Sequence, residues 1–382
     1  MKMDITHSES DYRVLRHTLH QLAEPSGQEF RTHQFIMDKI TQWSPTKLIT
    51  FPDNNHILAV YDSGCAGRTL LLRGDFDAVR VDETLDLSYA SATPGVAHKC
   101  GHDGHTAILL GLAEMLATNP PSKGRVLLFF QAAEETGEGA RQLLETNILE
   151  EYKPDRVFAL HNIPGEELGT VICREGSFTC SVISCDIHLH GHTAHAAEPQ
   201  KALCPYSAAK TITDSLLDLN QYDMLRDDFR LVTLVEFRIG EPAYGVAAGH
   251  GVLRFTLRSK DDALLQQTKA EVERLVAEVC GAARLGHEIA WKEYFAASNN
   301  HPDAVQVIRR AAAECGLPYK EKDTPFSWGE DFGLLTQHYD GALFGLGSGK
   351  DQPSLHHPHF DFPDELVPVG VRLFAQLCYG KE

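Results

Sequence analysis

No stretch of this chain is apolar enough and long enough to span a bilayer, so a helical membrane protein is not expected. Met1-Lys2-Met3-Asp4 leads into no apolar signal-peptide core, and a cytoplasmic location is the expectation. Positive charge is in short supply. Lys and Arg number 35 against 53 Asp and Glu, a formal charge of −18 at pH 7, which argues against nucleic acid or a membrane surface as main partner. The nine cysteines are odd in number and scattered, so a disulfide framework is not expected and most read as small buried residues. There is no internal repeat, no low-complexity segment and no HExxH. Gly345-Leu346-Gly347-Ser348-Gly349-Lys350 imitates a phosphate loop, but Phe344 stands where its earlier glycine belongs, and the run lacks the G-x-S-x-G register of a serine hydrolase.

What is present is enough chain for two domains, 382 residues with 43% hydrophobic content, and an unusual 20 histidines, several beside Gly, Asp, Glu or Cys. Residues 10–43 show helical spacing, broken at Pro25-Ser26-Gly27. Ile57–Tyr61 and Thr69–Leu72 read as strands, the second running into Asp75 and Asp77. His98-Lys99-Cys100-Gly101-His102 lies at the start of an apolar helix that Pro120-Pro121 stops. Val126–Phe130 is a strand that delivers Glu134 and Glu135, and Ala140–Leu149 is the helix after it. Arg156–Leu160 is a further strand ending at His161. This alternation predicts an α/β layered domain with a largely parallel sheet, whose ligand sites lie beyond the carboxyl ends of the strands.

Gly165–Gly176 reads as a hairpin before a boundary. The order β-α-β-β-α-β over about residues 179–291 is the ferredoxin-like pattern of an inserted α+β domain, leaving 1–178 and 292–382 as the first domain. After it come a helix at Asp303–Cys315, a short one at Asp331–His338, a strand at Gly341–Leu346 with a Gly-rich loop behind it, and a last helix at Val369–Cys378.

Cys100, His102, Glu135, His161 and His356 are metal-capable, and five ligands from four regions suit two ions with a shared water better than one closed structural site. Glu134 is then free to act as general base and acid, and Asp77 to orient a ligand. Each feature alone has a plainer reading. Glu134-Glu135 alone is a solvated helix start, Asp75 and Asp77 are capping acids, and His161 is a loop histidine. His356-His357-Pro358-His359 alone is a surface turn. Cys100 is a buried thiol or a nucleophile with a histidine base. Their joint placement at one sheet edge favours the metal reading.

The same segments resemble the M20 metallopeptidase family, in particular its amidohydrolase branch, over nearly the whole chain. Arg73-Gly74-Asp75-Phe76-Asp77-Ala78 is similar to R-A-D-x-D-A, and His98 to Ala107 is close to H-A-C-G-H-D-x-H-T-A. Phe130 to Glu135 is similar to F-Q-P-A-E-E, Leu160-His161 to L-H, Gly329-Glu330-Asp331-Phe332 to S-E-D-F, and Leu355-His356-His357-Pro358 to L-H-x-P. The resemblance implies two divalent metals (Zn, Mn, Co or Ni) on Cys100, His102, Glu135, His161 and His356, with Glu134 as base. It implies an inserted lid that forms a homodimer. In the lid, His195 of Gly191-His192-Thr193-Ala194-His195-Ala196-Ala197 would contact the substrate or its oxyanion, and Arg258 would bind a substrate carboxylate. Gly245 stands where the family has Asn in A-x-N-V-I-P, which removes a polar substrate contact.

The expectation is a hydrolase of the amide bond of small N-acyl or amide-conjugated amino acids. The alternatives are a dipeptidase or carboxypeptidase on the same site, and an inactive metal-binding or partner-binding homologue.

Overall fold

A computed structural model describes residues 9–380; Met1-Lys2-Met3-Asp4, the stretch read for a signal peptide, lies outside them. The chain divides into two compact units. The first runs up to Phe178 and resumes over Ser298–Asp323 and from Asp331, and the second comprises Thr179–Ala297 with Thr324–Glu330. No helix among the described residues is long and apolar enough to cross a membrane.

The first unit opens with α1 (Glu9–Leu22) and α2 (Phe30–Gln42). Its eight-stranded sheet contains β1 (Lys47–Thr50), β2 (Ile57–Asp62), β3 (Thr69–Asp75), β4 (Arg125–Gln131), β5 (Arg156–Pro164) and β6 (Val171–Cys173), with the strands Tyr319–Glu321 and Gly341–Gly349. The spatial order is β1, β2, β4, β3, β5, Gly341–Gly349, β6, Tyr319–Glu321. β3 is parallel to β4 on one side and to β5 on the other, and β5 is parallel to Gly341–Gly349. Buried on both faces, these central strands read as continuous apolar runs rather than alternating ones, as in Leu70-Leu71-Leu72 and Val126 to Phe130.

Their carboxyl ends lie side by side, with Asp75 opposite Gln131 and Arg73 opposite Ala159. Whatever follows β4, β3 and β5 in the chain therefore emerges at one edge. α3 (His102–Thr118) starts at this edge and is buried along almost its whole length, in a core that includes Tyr12, Leu19, Ile36, Leu110, Phe130 and Phe374.

Three local expectations are corrected. Gly165–Gly176 is not a hairpin, because β6 pairs with Gly341–Gly349 and with Tyr319–Glu321 instead of with β5. The Gly-rich loop is strand as far as Gly349. A Cβ at Gly347 would lie 2.1 Å from the Glu167 carbonyl, so the glycine reflects a close backbone neighbour and not a turn. The helix expected over Ala140–Leu149 is two helices, α4 (Gly139–Glu145) and a separate short one at Ile148–Tyr152, divided at Asn147 with φ +56°.

The second unit has strands Ser181–His190, Arg230–Ile239, His250–Ser259 and Gly286–Phe295 with helices Tyr206–Leu217 and Asp262–Ala283. The sheet is antiparallel throughout, in the order Arg230–Ile239, His250–Ser259, Ser181–His190, Gly286–Phe295, which is the ferredoxin-like arrangement. Asp261 caps the longer helix by accepting from the Leu264 amide at 2.8 Å. Ile187, Leu189, Ile212, Phe255, Val272 and Val276 form the core between sheet and helices. Elsewhere on the sheet, Asp186 pairs with Arg254 and Lys292. Arg230–Ile239 is an edge strand with Leu234, Val235 and Phe237 exposed.

Candidate active site

The site begins with a buried guanidinium. Arg73, on β3, is ion-paired to Asp75 and, at 3.0 Å, to Asp331, and donates from Nε to Gln131 at 2.9 Å. Burial works against the charge on Asp75, but Arg73, His102 and His105 outweigh it and hold the carboxyl well below its usual range. The Asp75 carboxylate accepts from His105 Nδ1 at 2.6 Å, and His105 Nε2 lies 2.7 Å from Asn162 Oδ1 on β5.

Two residues further on, Asp77 uses both carboxylate oxygens. Oδ1 is 3.1 Å from His102 Nδ1, and Oδ2 accepts from Ser26 Oγ at 2.7 Å and from the Glu135 amide at 3.0 Å. His102 Nδ1 therefore carries a proton, and Nε2 faces the opposite way. That Nε2 is buried and has no hydrogen-bond partner among the described residues. Burial opposes charge on the ring, yet Asp75, Asp77 and Glu135 raise its pKa to about 10, so the surroundings favour positive charge at this point.

Cys100 and His102 flank Gly101, whose φ of +101° starts α3 in the left-handed region. A Cβ there would also meet Asn162 Oδ1 at 2.3 Å, so only glycine fits this step. Cys100 Sγ lies 3.5 Å from His161 Nε2, while His161 Nδ1 donates to the Asn162 carbonyl at 2.9 Å. Burial, with Glu135, Glu134 and Asp75 adding to it, pushes the Cys100 thiol well up; burial and the neighbouring His105 hold His161 well below the usual range.

After β4 the chain turns through Ala133 at φ +56° to reach Glu134 and Glu135. Three of the amides in this turn are held by side chains from elsewhere: Ala132 by His56 Nδ1 at 3.0 Å, Ala133 by Glu29 Oε1 at 2.9 Å and Glu135 by Asp77. Glu134 Oε2 lies 3.8 Å, and Glu135 Oε1 3.7 Å, from His102 Nε2. Glu135 Oε1 is also 3.4 Å from His356 Nε2. His356 has φ +63°, donates its amide to the Lys99 carbonyl at 2.7 Å and leaves its side chain 50% exposed.

The donor atoms fall into overlapping groups, each within 4.8 Å: Cys100, His102 and His161; Cys100, Glu135 and His356; His102, Glu134 and Glu135; Asp75, His102 and His105. Cys100, His102, Glu135, His161 and His356 thus come together with Glu134 beside them and Asp77 behind. A divalent cation fits this set. Two buried atoms, His102 Nε2 and Glu135 Oε1, lack hydrogen-bond partners among the described residues although they lie 3.7 Å apart, and sulfur, imidazole and carboxylate are the donors such ions take.

His195 and Arg258 belong to the second unit. Ala194–His195 pairs with Val246–Ala247, and His195 Nδ1 accepts from the Ala197 amide at 3.0 Å, so its exposed ring carries the proton on Nε2. Arg258 Nη1 donates to the Ser327 carbonyl at 3.1 Å. A side chain at Gly245 would meet nothing within 4 Å, so no crowding requires glycine there.

Sequence reasoning passed over Glu29, His56, His105 and Asn162. His105 is three residues from His102, one helical turn away on α3, and that spacing was the signal available. Glu29 and His56 had none.

The profile of peptidase family M20/M25/M40 matches residues 71–379. The chain is 31% identical over 367 residues to the N-acetyldiaminopimelate deacetylase of Limosilactobacillus fermentum, covering 94% of each. It is 30% identical over 358 residues to the N-acetyl-L-cysteine deacetylase of Bacillus subtilis, covering 92% of this chain and 84% of that one. Among solved structures it is similar to the Bacillus subtilis YXEP protein, described as a dinuclear metal binding peptidase from the M20 family, with a TM-score of 0.81, 25% identity and 97% of both chains covered.

Proposed function

The chain belongs to peptidase family M20/M25/M40, and we propose that it is a metal-dependent amidohydrolase acting on small N-acylated amino acids. The observation that carries this reading is the buried pair His102 Nε2 and Glu135 Oε1, unpartnered in the midst of Cys100, His161, His356 and Glu134. The similarity to two deacetylases of N-acetyl amino acids supports the substrate class, and the similarity to a dinuclear metal binding peptidase supports two ions.

Cys100, His102, Glu135, His161 and His356 are the residues to hold the two divalent cations, with Zn, Mn, Co and Ni as candidates. Thiol and imidazole donors favour zinc or cobalt over harder ions. Held by these residues, two divalent cations would supply an activated water and polarisation of the amide carbonyl. Glu134 takes a proton from the attacking water and returns it to the leaving nitrogen, so the C–N bond breaks to a carboxylate and an amine. Asp77 fixes the His102 tautomer. His195, with its proton on Nε2, is a donor suited to the oxygen that gains charge during attack, and Arg258 is the partner for a substrate carboxylate.

On this reading the first unit is the catalytic domain, expected from the sequence at 1–178 and 292–382, and the second is the lid, expected at 179–291 but extending through the strand Gly286–Phe295 to Ala297 and taking in Thr324–Glu330. The lid's open edge strand with exposed Leu234, Val235 and Phe237 suits a homodimer. Nine cysteines without a disulfide among the described residues suit the reducing cytoplasm.

The test is a hydrolysis screen of the metal-reconstituted protein on N-acyl amino acids and on dipeptides, with products identified by mass spectrometry. Release of free amino acid from the acylated set supports the proposal. Cleavage of dipeptides alone moves the substrate class to peptides, and no turnover on any amide leaves a metal-binding protein.

A further inference from the structure

Glu29 belongs to none of the groups around His102, yet it is fully buried. It occupies the N-cap position of α2 without capping that helix. Glu24 does so instead, accepting from the amides of Arg31 and Thr32 at 2.9 Å each. Glu29 is thereby released to turn away from its own helix. Its Oε1 accepts from the Gly27 amide at 2.8 Å and from the Ala133 amide at 2.9 Å, and its Oε2 from Asn55 Nδ2 at 2.8 Å.

Ala133 immediately precedes Glu134 and has φ +56°. For an alanine that conformation is strained, and it persists where the surroundings enforce it. The φ and ψ of Ala133 set the direction in which the next residue leaves the chain. Glu135 has its own tie, to Asp77. The two adjacent acids are therefore held by different carboxylates.

We propose that Glu29 is a positioning residue for the reaction: by holding the Ala133 amide it keeps that residue left-handed and aims the Glu134 carboxylate. The inference rests on the reading of Glu134 as the base. Burial, with Asp77 adding to it, raises the Glu29 pKa to about 7, and in either protonation state Oε1 remains an acceptor. Reach, and not charge, is what the role requires.

Three variants separate the two. Glu29→Gln keeps the reach and loses the charge. Glu29→Asp keeps the charge and withdraws the carboxylate by one C–C bond, about 1.5 Å. Glu29→Ala loses both. The readouts are hydrogen–deuterium exchange of the segment 129–139 in metal-free protein, metal content after reconstitution, and kcat and KM separately. Glu29→Ala and Glu29→Asp should exchange faster in that segment and lose on the order of 10- to 100-fold in kcat, with KM and metal content unchanged. Glu29→Gln keeps its oxygen on the Gly27 and Ala133 amides, and Asn55 can turn its amide to present oxygen to the new NH2, so this variant should match the wild type in all readouts. Unchanged exchange in Glu29→Asp, a kcat loss that follows metal loss, or a Glu29→Gln as impaired as Glu29→Asp would overturn the proposal. If Glu29→Ala does not fold, the Asp and Gln variants carry the comparison. The exchange experiment needs no substrate: wild-type protein inert on every amide sinks the reading of Glu134 and the catalytic half of this inference, while exchange still decides whether Glu29 holds the segment.

Discussion

Removing the Asp77 side chain should weaken cation binding more than removal of an ordinary supporting group. Its carboxylate is completely buried and serves two of the proposed ligands at once: Oδ1 fixes His102 at 3.1 Å and Oδ2 holds the Glu135 amide at 3.0 Å. In Asp77→Ala, His102 Nδ1 keeps only the residue 77 carbonyl, 3.0 Å away in the wild type, while the Glu135 amide and Ser26 Oγ lose their acceptor. Loss of one such supporting contact typically costs 10- to 100-fold in metal affinity, about 1.4–2.7 kcal/mol, and with two ligands affected the upper end applies. Leaving buried donors unpaired costs a further ~1–3 kcal/mol of stability. Asp77→Asn is milder, because its oxygen can still accept from His102 while its NH2 group opposes the Glu135 amide. The assay is competition between metal-stripped protein and a zinc chelator of known affinity, with urea unfolding in parallel. Unchanged affinity in a folded Asp77→Ala protein would refute the supporting role.

Glu134→Gln should retain wild-type metal content by mass spectrometry while turnover falls about 10²- to 10⁴-fold, since an amide of the same shape cannot take a proton; full activity would remove Glu134 from its role. His20 is buried between Asp103 at 2.7 Å and Glu83 at 3.1 Å, and although burial works against it, these acids raise its pKa from 6.5 to about 9. The folded state keeps a proton that the unfolded chain releases near pH 6.5, so this contribution is complete below that pH and is lost as pH rises through 9. The stability difference between wild type and His20→Gln, measured by urea unfolding across this range, should shrink by about 3 kcal/mol toward the alkaline end; a constant difference contradicts the assignment. If the chain forms the homodimer proposed above, Val235→Lys on the exposed edge strand should run as a monomer in light scattering where the wild type runs as a dimer; a wild-type monomer contradicts the proposed dimer, and a variant that stays dimeric moves the interface elsewhere.

The strand-end polar groups were legible because a parallel sheet buried on both faces writes its strands as apolar runs, and the polar residues that follow each run within a few positions lie towards the sheet edge. Asp75, Glu134 and His161 could be assigned to that edge without coordinates. The contacts that orient them could not. Arg73 meets Asp331 across 258 positions, and no local pattern records that pairing. Glu29 and His56 act on backbone amides, which every residue has, so their partners leave no mark in the sequence. The left-handed turns at Ala133 and His356 fall on residues that do not announce them. Glycines misled where they answer a neighbouring chain, as at Gly347, and the supposed hairpin failed because strand pairing is decided by distant segments.

The most direct test of the central claim is the number of divalent cations bound per chain when chelator-stripped protein is titrated with Zn²⁺ or Co²⁺ while hydrolysis of an N-acyl amino acid is followed. Two cations per chain are predicted, with activity appearing as they bind and with less than full occupancy in Cys100→Ser and His356→Ala. A wild-type chain that binds none, or that hydrolyses its substrate at full rate after every cation has been removed, contradicts the account.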